Sequence, residues 1–381
     1  MPARSPDFLA PYRTDLDGLR ERGRFRALAG RAGVDFASND YLGLAESEAY
    51  GEAARAALAR GVPLGAGGSR LLRGNHPEHE ALEEEAARFF GAESALLFGA
   101  GFSANEALLS TLPQRGDLIL HDELIHASAH EGMRLSRAKS RAVAHNDAGA
   151  FEDAVKAFDG PDRVWIVVES LYSMDGDIAP LAALAEIAAR HGAFLLIDEA
   201  HATGVLGPGG RGLAHELEGR DNVITLHTCG KALGLSGALV CLPSALRVFL
   251  INRCRNFIFA TAPSPLLAAT IRAALGVIER ADDRRAALAE RVSRARESLR
   301  RVSNAKPSGT HIQPVIVGSD HRAVLLAERM RARGYDIRAI RPPTVPEGTA
   351  RLRVSLTLNA SEAQTEAMIA LLARELEPPP S

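Results

Sequence analysis

The chain has 381 residues, 45 Lys and Arg against 47 Asp and Glu, a net charge of −2, and is 46% hydrophobic and 24% charged. That is enough apolar material for a large core, which excludes a disordered chain, and there is no overall basic field of the kind that drives nucleic-acid binding. Apolar runs such as residues 164–168 and 193–197 fall far short of the ~20 residues of a membrane helix, residues 1–10 hold no apolar signal core, and the expectation is a cytoplasmic protein.

At ~100–200 residues per domain, the length implies two or three units. Residues 15–29 predict an arginine-rich helix and 34–37 a short strand. Strands are then predicted at 94–98, 118–120, 164–169, 194–198, 223–226 and 238–242. Helical patterns lie between several of them, at 77–90, 103–112, 151–158 and 181–190. Such alternation implies crossovers and a mostly parallel sheet buried on both faces. A long amphipathic helix follows at about 280–302. After it come strand 312–317, helix 322–333, strands 337–340 and 350–355, and helix 361–372. The expected organisation is an N-terminal arm (1–42), a large α/β domain (43–277), and a connector helix with a smaller C-terminal α+β domain (278–381).

In open α/β sheets ligands sit at the carboxyl ends of the strands, so the polar residues there are the candidates for chemistry. Lysine occurs only at 139, 156, 231 and 306. Lys231 lies among small residues just after an apolar strand, where a bulky group can approach its amine and a Schiff base with an aldehyde can form. The alternative is a surface lysine in a glycine loop. Asp198 ends an apolar run and precedes Glu199, Ala200 and His201. A carboxylate at a buried strand end needs a cationic partner, such as the protonated ring nitrogen of pyridoxal phosphate. Capping the next turn, or binding metal with His201, are the other readings.

The stretch Phe98-Gly99-Ala100-Gly101-Phe102-Ser103-Ala104-Asn105 follows a strand and opens a helix, a setting that suits phosphate. It matches neither the dinucleotide fingerprint nor the P-loop. His126 and His130 lack the pattern of a metal site, whereas a flat His126 ring suits stacking on a planar cofactor or simply starts a helix. The three cysteines, Cys229, Cys241 and Cys254, have no close spacing, which argues against disulfides and structural zinc. No metal is expected. Together, a phosphate-type helix start, His126, Asp198 with His201, and Lys231 follow the strands of one sheet. Their order fits a pyridoxal-phosphate enzyme of the aspartate-aminotransferase-like fold (fold type I), with a large mostly parallel sheet domain.

Five segments carry a specific resemblance. They are Ser38-Asn39-Asp40-Tyr41-Leu42-Gly43-Leu44, Gly68-Ser69-Arg70, the run from Glu169 to Asp177, the run from Asp198 to Gly204, and Thr228-Cys229-Gly230-Lys231. They resemble the α-oxoamine synthases, from about residue 16 to about 375. These enzymes use pyridoxal 5'-phosphate to condense an amino acid with an acyl thioester and lose CO2. The stretch from Ala339 to Arg353 most resembles the biotin-pathway members, which imply L-alanine and a pimeloyl thioester on coenzyme A or an acyl carrier protein.

The resemblance implies that Lys231 bonds the cofactor aldehyde and moves protons, that Asp198 pairs with the ring nitrogen, that His201 contacts the phenolic oxygen and that His126 stacks on the ring. Gly101, Phe102, Ser173 and Thr228 would surround the cofactor. Thr261 would reach the phosphate of a neighbouring subunit, which implies a homodimer with shared sites. Asn39 and Arg353 would hold the amino-acid carboxylate. Arg26, or Arg20 or Arg22 in its place, would serve the acyl substrate with Arg341 and Thr344. Family members that use glycine with acetyl or succinyl thioesters are the alternative. A non-catalytic binding protein with a decayed site is a second one, against which the joint presence of Lys231, Asp198, His201 and His126 argues. The basic residues 284–301 would either dock an acidic carrier or form a solvated helix face.

Overall fold

The computed structural model describes residues 7–377 other than 159, 161 and 304. The N-terminal segment read above therefore lies partly outside the described residues. By Cα proximity the chain divides into two compact units. The larger comprises Asn39–Ala289 and Thr357–Asn359. The smaller gathers the described residues up to Ser38, those from Glu290 to Leu356, and those from Ala360 onward. The division falls inside the long helix, which spans Asp282–Leu299.

The larger unit is built on seven strands: Ser94–Phe98 (β1), Leu118–Asp122 (β2), Lys139–Val143 (β3), Val164–Glu169 (β4), Phe194–Asp198 (β5), Val223–Thr228 (β6) and Ala238–Leu242 (β7). Their spatial order is β1-β7-β6-β5-β4-β2-β3. Six run one way, and β7 runs against both its neighbours. The strands alternate between two cores. Trp165 and Val167 pack with Leu196, Ile224 and helix Gly101–Thr111 on one face. Val164, Ile166 and Val168 pack with Leu195, Ile197 and helix Leu181–His191 on the other. Burial on both faces is why these strands read as continuous apolar runs.

Local chemistry sets the helix ends. Helix Pro77–Phe90 starts with proline in its first turn and the His76 side chain accepting the Glu78 N–H. It stops at Gly91, whose φ of +85° suits glycine. The first helix is Ala10–Glu21, earlier than the predicted 15–29, because the chain turns at Gly23 with φ +67°. Strand β3 escaped the sequence reading: four of its five residues are exposed, so this edge strand has no apolar run to see. Helix Pro265–Glu279, with a buried inner face, is a further element beyond the predicted ones.

In the smaller unit Arg338–Ile340, Ala350–Ser355 and Ile312–Gly318 form an antiparallel sheet, accompanied by helices Asp320–Ala332 and Glu362–Leu376. Val34–Asp35 pairs with Tyr335–Asp336, joining the N-terminal stretch to this unit.

Candidate active site

Strand ends of the larger unit assemble the site. Asp198, the last residue of β5, lies on the face of Leu196, toward helix Gly101–Thr111. Asn105 on that helix donates to Asp198 Oδ2 at 2.7 Å, and its amide also reaches Ser128 Oγ at 2.9 Å. The Ala200 N–H donates to Asp198 Oδ1 at 2.9 Å. A buried carboxylate is thus held by fixed donors and oriented. Beside it in register stands Glu169, the last residue of β4, with the Ser173 N–H on its Oε2 at 3.1 Å. Burial and Asp198 push the Glu169 carboxyl up to about 8, although Lys231 opposes the shift.

Lys231 follows β6 and is half-buried. Its Nζ lies 2.6 Å from His201 Nε2. On the other side of that ring, Nδ1 lies 2.6 Å from the Tyr41 hydroxyl, which donates to Asn39 Oδ1 at 2.9 Å. Since Tyr41 has one proton and gives it to Asn39, the ring donates through Nδ1 and accepts from lysine through Nε2. This tautomer is assigned from the network.

His126 caps helix Ala127–Leu135, its Nδ1 taking the Ser128 N–H at 3.2 Å and lying 2.8 Å from Ser128 Oγ. Its ring is open to solvent on one side, yet crowding by the protein lowers its basicity. Asp198 opposes that shift and Lys231 adds to it. His126, Asp198 and Lys231 therefore sense one another's charge, and the neutral, flat ring suits stacking. Phe102 meets it edge-on at 6.4 Å between centroids. A Cβ on Gly101 would come within 3.2 Å of Thr228 Oγ1, so glycine keeps that corner open. Thr261 is exposed, and the next residue, Ala262, donates to the Gly68 carbonyl at 2.9 Å.

The remaining expected residues belong to the smaller unit. Arg353 is buried on strand Ala350–Ser355 and donates to Ser355 Oγ at 2.8 Å. Arg341 donates to the Gly23 carbonyl at 2.6 Å, and its basicity is lowered by burial and by Arg26 nearby. Thr344 is exposed and donates its N–H to the Arg341 carbonyl at 3.1 Å. Arg20 is paired with Asp17 at 2.7 Å and lies over the Phe25 ring. In the basic helix, Arg284 donates to the Leu42 carbonyl and Arg285 to that of Ile278, while Arg291 bonds the Ala360 carbonyl and Arg294 pairs with Glu290. Several of its charges are thus engaged within the fold, which weakens the carrier-docking reading.

The donor set fits pyridoxal phosphate. Lys231 offers an amine, Asp198 a buried acid, and helix Gly101–Thr111 begins at Ala100 with no side-chain cap, leaving first-turn N–H groups for an anion. Among the described residues one other cluster, Glu218, His227 and Cys241, has ligand-type atoms within 4.8 Å of one another. Its polar atoms are already hydrogen-bonded, Glu218 to His227 at 3.0 Å and His227 to Thr203 at 2.9 Å, so it reads as a satisfied buried network.

A family model described as aminotransferase class I and II matches residues 31–371. The chain belongs to that family. A relative from Chromobacterium violaceum, 8-amino-7-oxononanoate synthase, is 44% identical over 349 residues, 91% of this chain and 90% of its own. A serine palmitoyltransferase structure from Sphingomonas wittichii has a TM-score of 0.88 at 28% identity, covering 97% of this chain and 98% of its own. The structure of 8-amino-7-oxononanoate synthase from Francisella tularensis has a TM-score of 0.77 at 29% identity, covering 90% and 98%.

Within this family fold, three site residues were given no role by the sequence reading. Tyr41 and Asn105 lie beside sequence motifs of the site, but nothing local points to their partners, 160 and 93 positions away. Glu169 opens the run that ends at Asp177. Its signal was available: an acid closing an all-apolar strand two residues after Val167, hence on the same face.

Proposed function

We propose that this chain catalyses the pyridoxal-phosphate-dependent condensation of L-alanine with a pimeloyl thioester, giving 8-amino-7-oxononanoate, CO2 and free thiol in biotin biosynthesis. The carrying observation is the Lys231 amine, 2.6 Å from His201, in a chain 44% identical to an 8-amino-7-oxononanoate synthase. The name shared by such relatives disfavours the glycine-using alternative, and the intact site disfavours a non-catalytic role.

When bound, the cofactor supplies an aldehyde for the lysine amine and a ring that accepts electrons from the carbon being deprotonated. Asp198, oriented by Asn105, would hold the ring nitrogen and keep it protonated. Lys231 Nζ takes the Cα proton of alanine and later returns one to the product carbon. His201 orients that amine while Tyr41 fixes the imidazole tautomer. His126 would cover a ring face. Gly101, Phe102, Ser173 and Thr228 would line the cofactor, and the uncapped helix start would hold its phosphate. Asn39 and Arg353 are assigned to the alanine carboxylate, and Arg26, Arg341 and Thr344 to the acyl substrate. The chain works as a homodimer in which Thr261 serves the partner's site, and it acts in the cytoplasm. Among the described residues no helix is long and apolar enough to cross a membrane.

Thiol release assayed with alanine and glycine, crossed with pimeloyl, acetyl and succinyl thioesters, tests this. The alanine–pimeloyl pair should be fastest, and faster turnover of glycine with a short thioester would overturn the assignment. Running each acyl group on coenzyme A and on a carrier protein identifies the donor.

A further inference from the structure

The turn leading into His126 and the hairpin carrying Ser173 leave different strands, yet one histidine joins them. His145 follows β3. Its Nδ1 lies 2.8 Å from Asp122 Oδ1 and its Nε2 2.6 Å from Asp177 Oδ2. Both partners are carboxylates, so both ring nitrogens donate. The adjacent Asn146 repeats the bridge: its N–H donates to Asp122 Oδ2 at 2.8 Å and its side-chain amide to Asp177 Oδ2 at 2.7 Å. Asn146 does so at φ +54°, a left-handed conformation that asparagine tolerates better than most residues.

Each aspartate belongs to a segment that ends in the site. Asp122 is fully buried and also accepts the Leu124 N–H at 2.8 Å, and its carbonyl accepts the Ile125 N–H, shaping the turn that delivers His126. The Asp177 carbonyl accepts the Tyr172 N–H at 2.9 Å, closing the hairpin bridged by Leu171 and Ile178 that contains Ser173. The other groups facing the imidazole are the Tyr172 ring, edge-on at 4.5 Å between centroids, and the Asn146 side-chain amide, 3.4 Å from Nε2, while the backbone N–H of His145 donates to Glu123 Oε1 at 3.1 Å.

We propose that His145 is a positioning residue, a doubly donating imidazolium that locks the turn 122–126 to the hairpin 171–178 and so sets the placement of His126 relative to Ser173. The inference rests on the reading of those two residues as cofactor contacts. Burial acts to lower the basicity of this ring, but the bonds to Asp122 and Asp177 outweigh it and raise its pKa to about 10. The clamp therefore stays charged at neutral pH.

The test strips cofactor from the holoprotein and titrates it back with pyridoxal 5'-phosphate, following protein fluorescence and the circular dichroism induced in the bound chromophore. The wild type should take up cofactor with a strong induced band. His145→Ala should bind roughly tenfold or more weakly, with a smaller band, as expected when two charge-assisted bonds are lost. Asp177→Asn keeps an acceptor oxygen and the side-chain shape, so it serves if His145→Ala does not fold, and should show a several-fold loss. Wild-type affinity and band in a folded His145→Ala, or in Asp177→Asn, would overturn the clamp. A wild type that takes up no cofactor would overturn the cofactor reading itself, and the clamp with it.

Discussion

Glu169 and Asp198 stand in register at the ends of two adjacent parallel strands, with their side chains on the same face of the sheet. Two carboxyl groups so placed cannot both ionise cheaply. Asp198 has fixed donors on both oxygens, whereas Glu169 Oε1 has no hydrogen-bond partner among the described residues. Glu169 is therefore the one that keeps its proton, with its pKa pushed up to about 8 by burial first and by Asp198 second. Between the ordinary value of 4.5 and about 8 the folded chain holds a proton that the unfolded chain has lost. Stability then falls as pH rises through that window, on the order of a few kcal/mol in all. Glu169→Gln cannot ionise, so its melting temperature should fall less than that of the wild type between pH 5 and pH 9. Parallel curves would show that another group carries the proton.

Lys231→Ala should lose turnover by about 10²–10⁴-fold, the usual worth of a positioned acid–base group, while the fold persists because the side chain is only half-buried. Borohydride treatment followed by peptide mass spectrometry gives an independent measure. The wild type should carry the cofactor mass on the peptide containing Lys231, and the variant on none.

Tyr41→Phe removes the hydroxyl 2.6 Å from His201 Nδ1 and leaves a buried ring nitrogen without that partner. A cost of roughly 1–3 kcal/mol is expected at the site. It should appear as lower kcat/KM with a displaced pH profile, since the imidazole tautomer facing Lys231 is no longer fixed. An unchanged profile would mean that Tyr41 only fills space.

Gly101→Ala puts a methyl group 3.2 Å from Thr228 Oγ1, a contact tight by a few tenths of an ångström. Thermal stability should change little, because Gly101 is the first residue of its helix and the new methyl makes one tight contact there. Cofactor affinity should drop several-fold, as measured by equilibrium titration. Wild-type affinity would place the phosphate elsewhere.

Strands β1, β4, β5 and β7 and helix Pro77–Phe90 occupy the residues that their apolar runs and end signals predicted. Other elements were less legible. Strand β3 exposes most of its side chains, and the first helix starts five residues early and ends before Gly23. The antiparallel course of β7 has no local signature, since a strand buried on both faces reads the same in either direction. The division of the chain inside helix Asp282–Leu299, and the pairing of the N-terminal stretch with Tyr335–Asp336, are equally non-local.

What the order of amino acids determined by itself was the inventory and its local placement: one lysine among small residues after a strand, an acid closing an apolar run, glycines at a helix start. These follow from propensity and periodicity, which act over a few residues. Only the tertiary structure decided that Tyr41 fixes the ring of His201, that Asn105 orients Asp198, and that His145 bolts two distant turns together. Those contacts depend on which strands lie side by side, and strand order is settled by packing over the whole sheet.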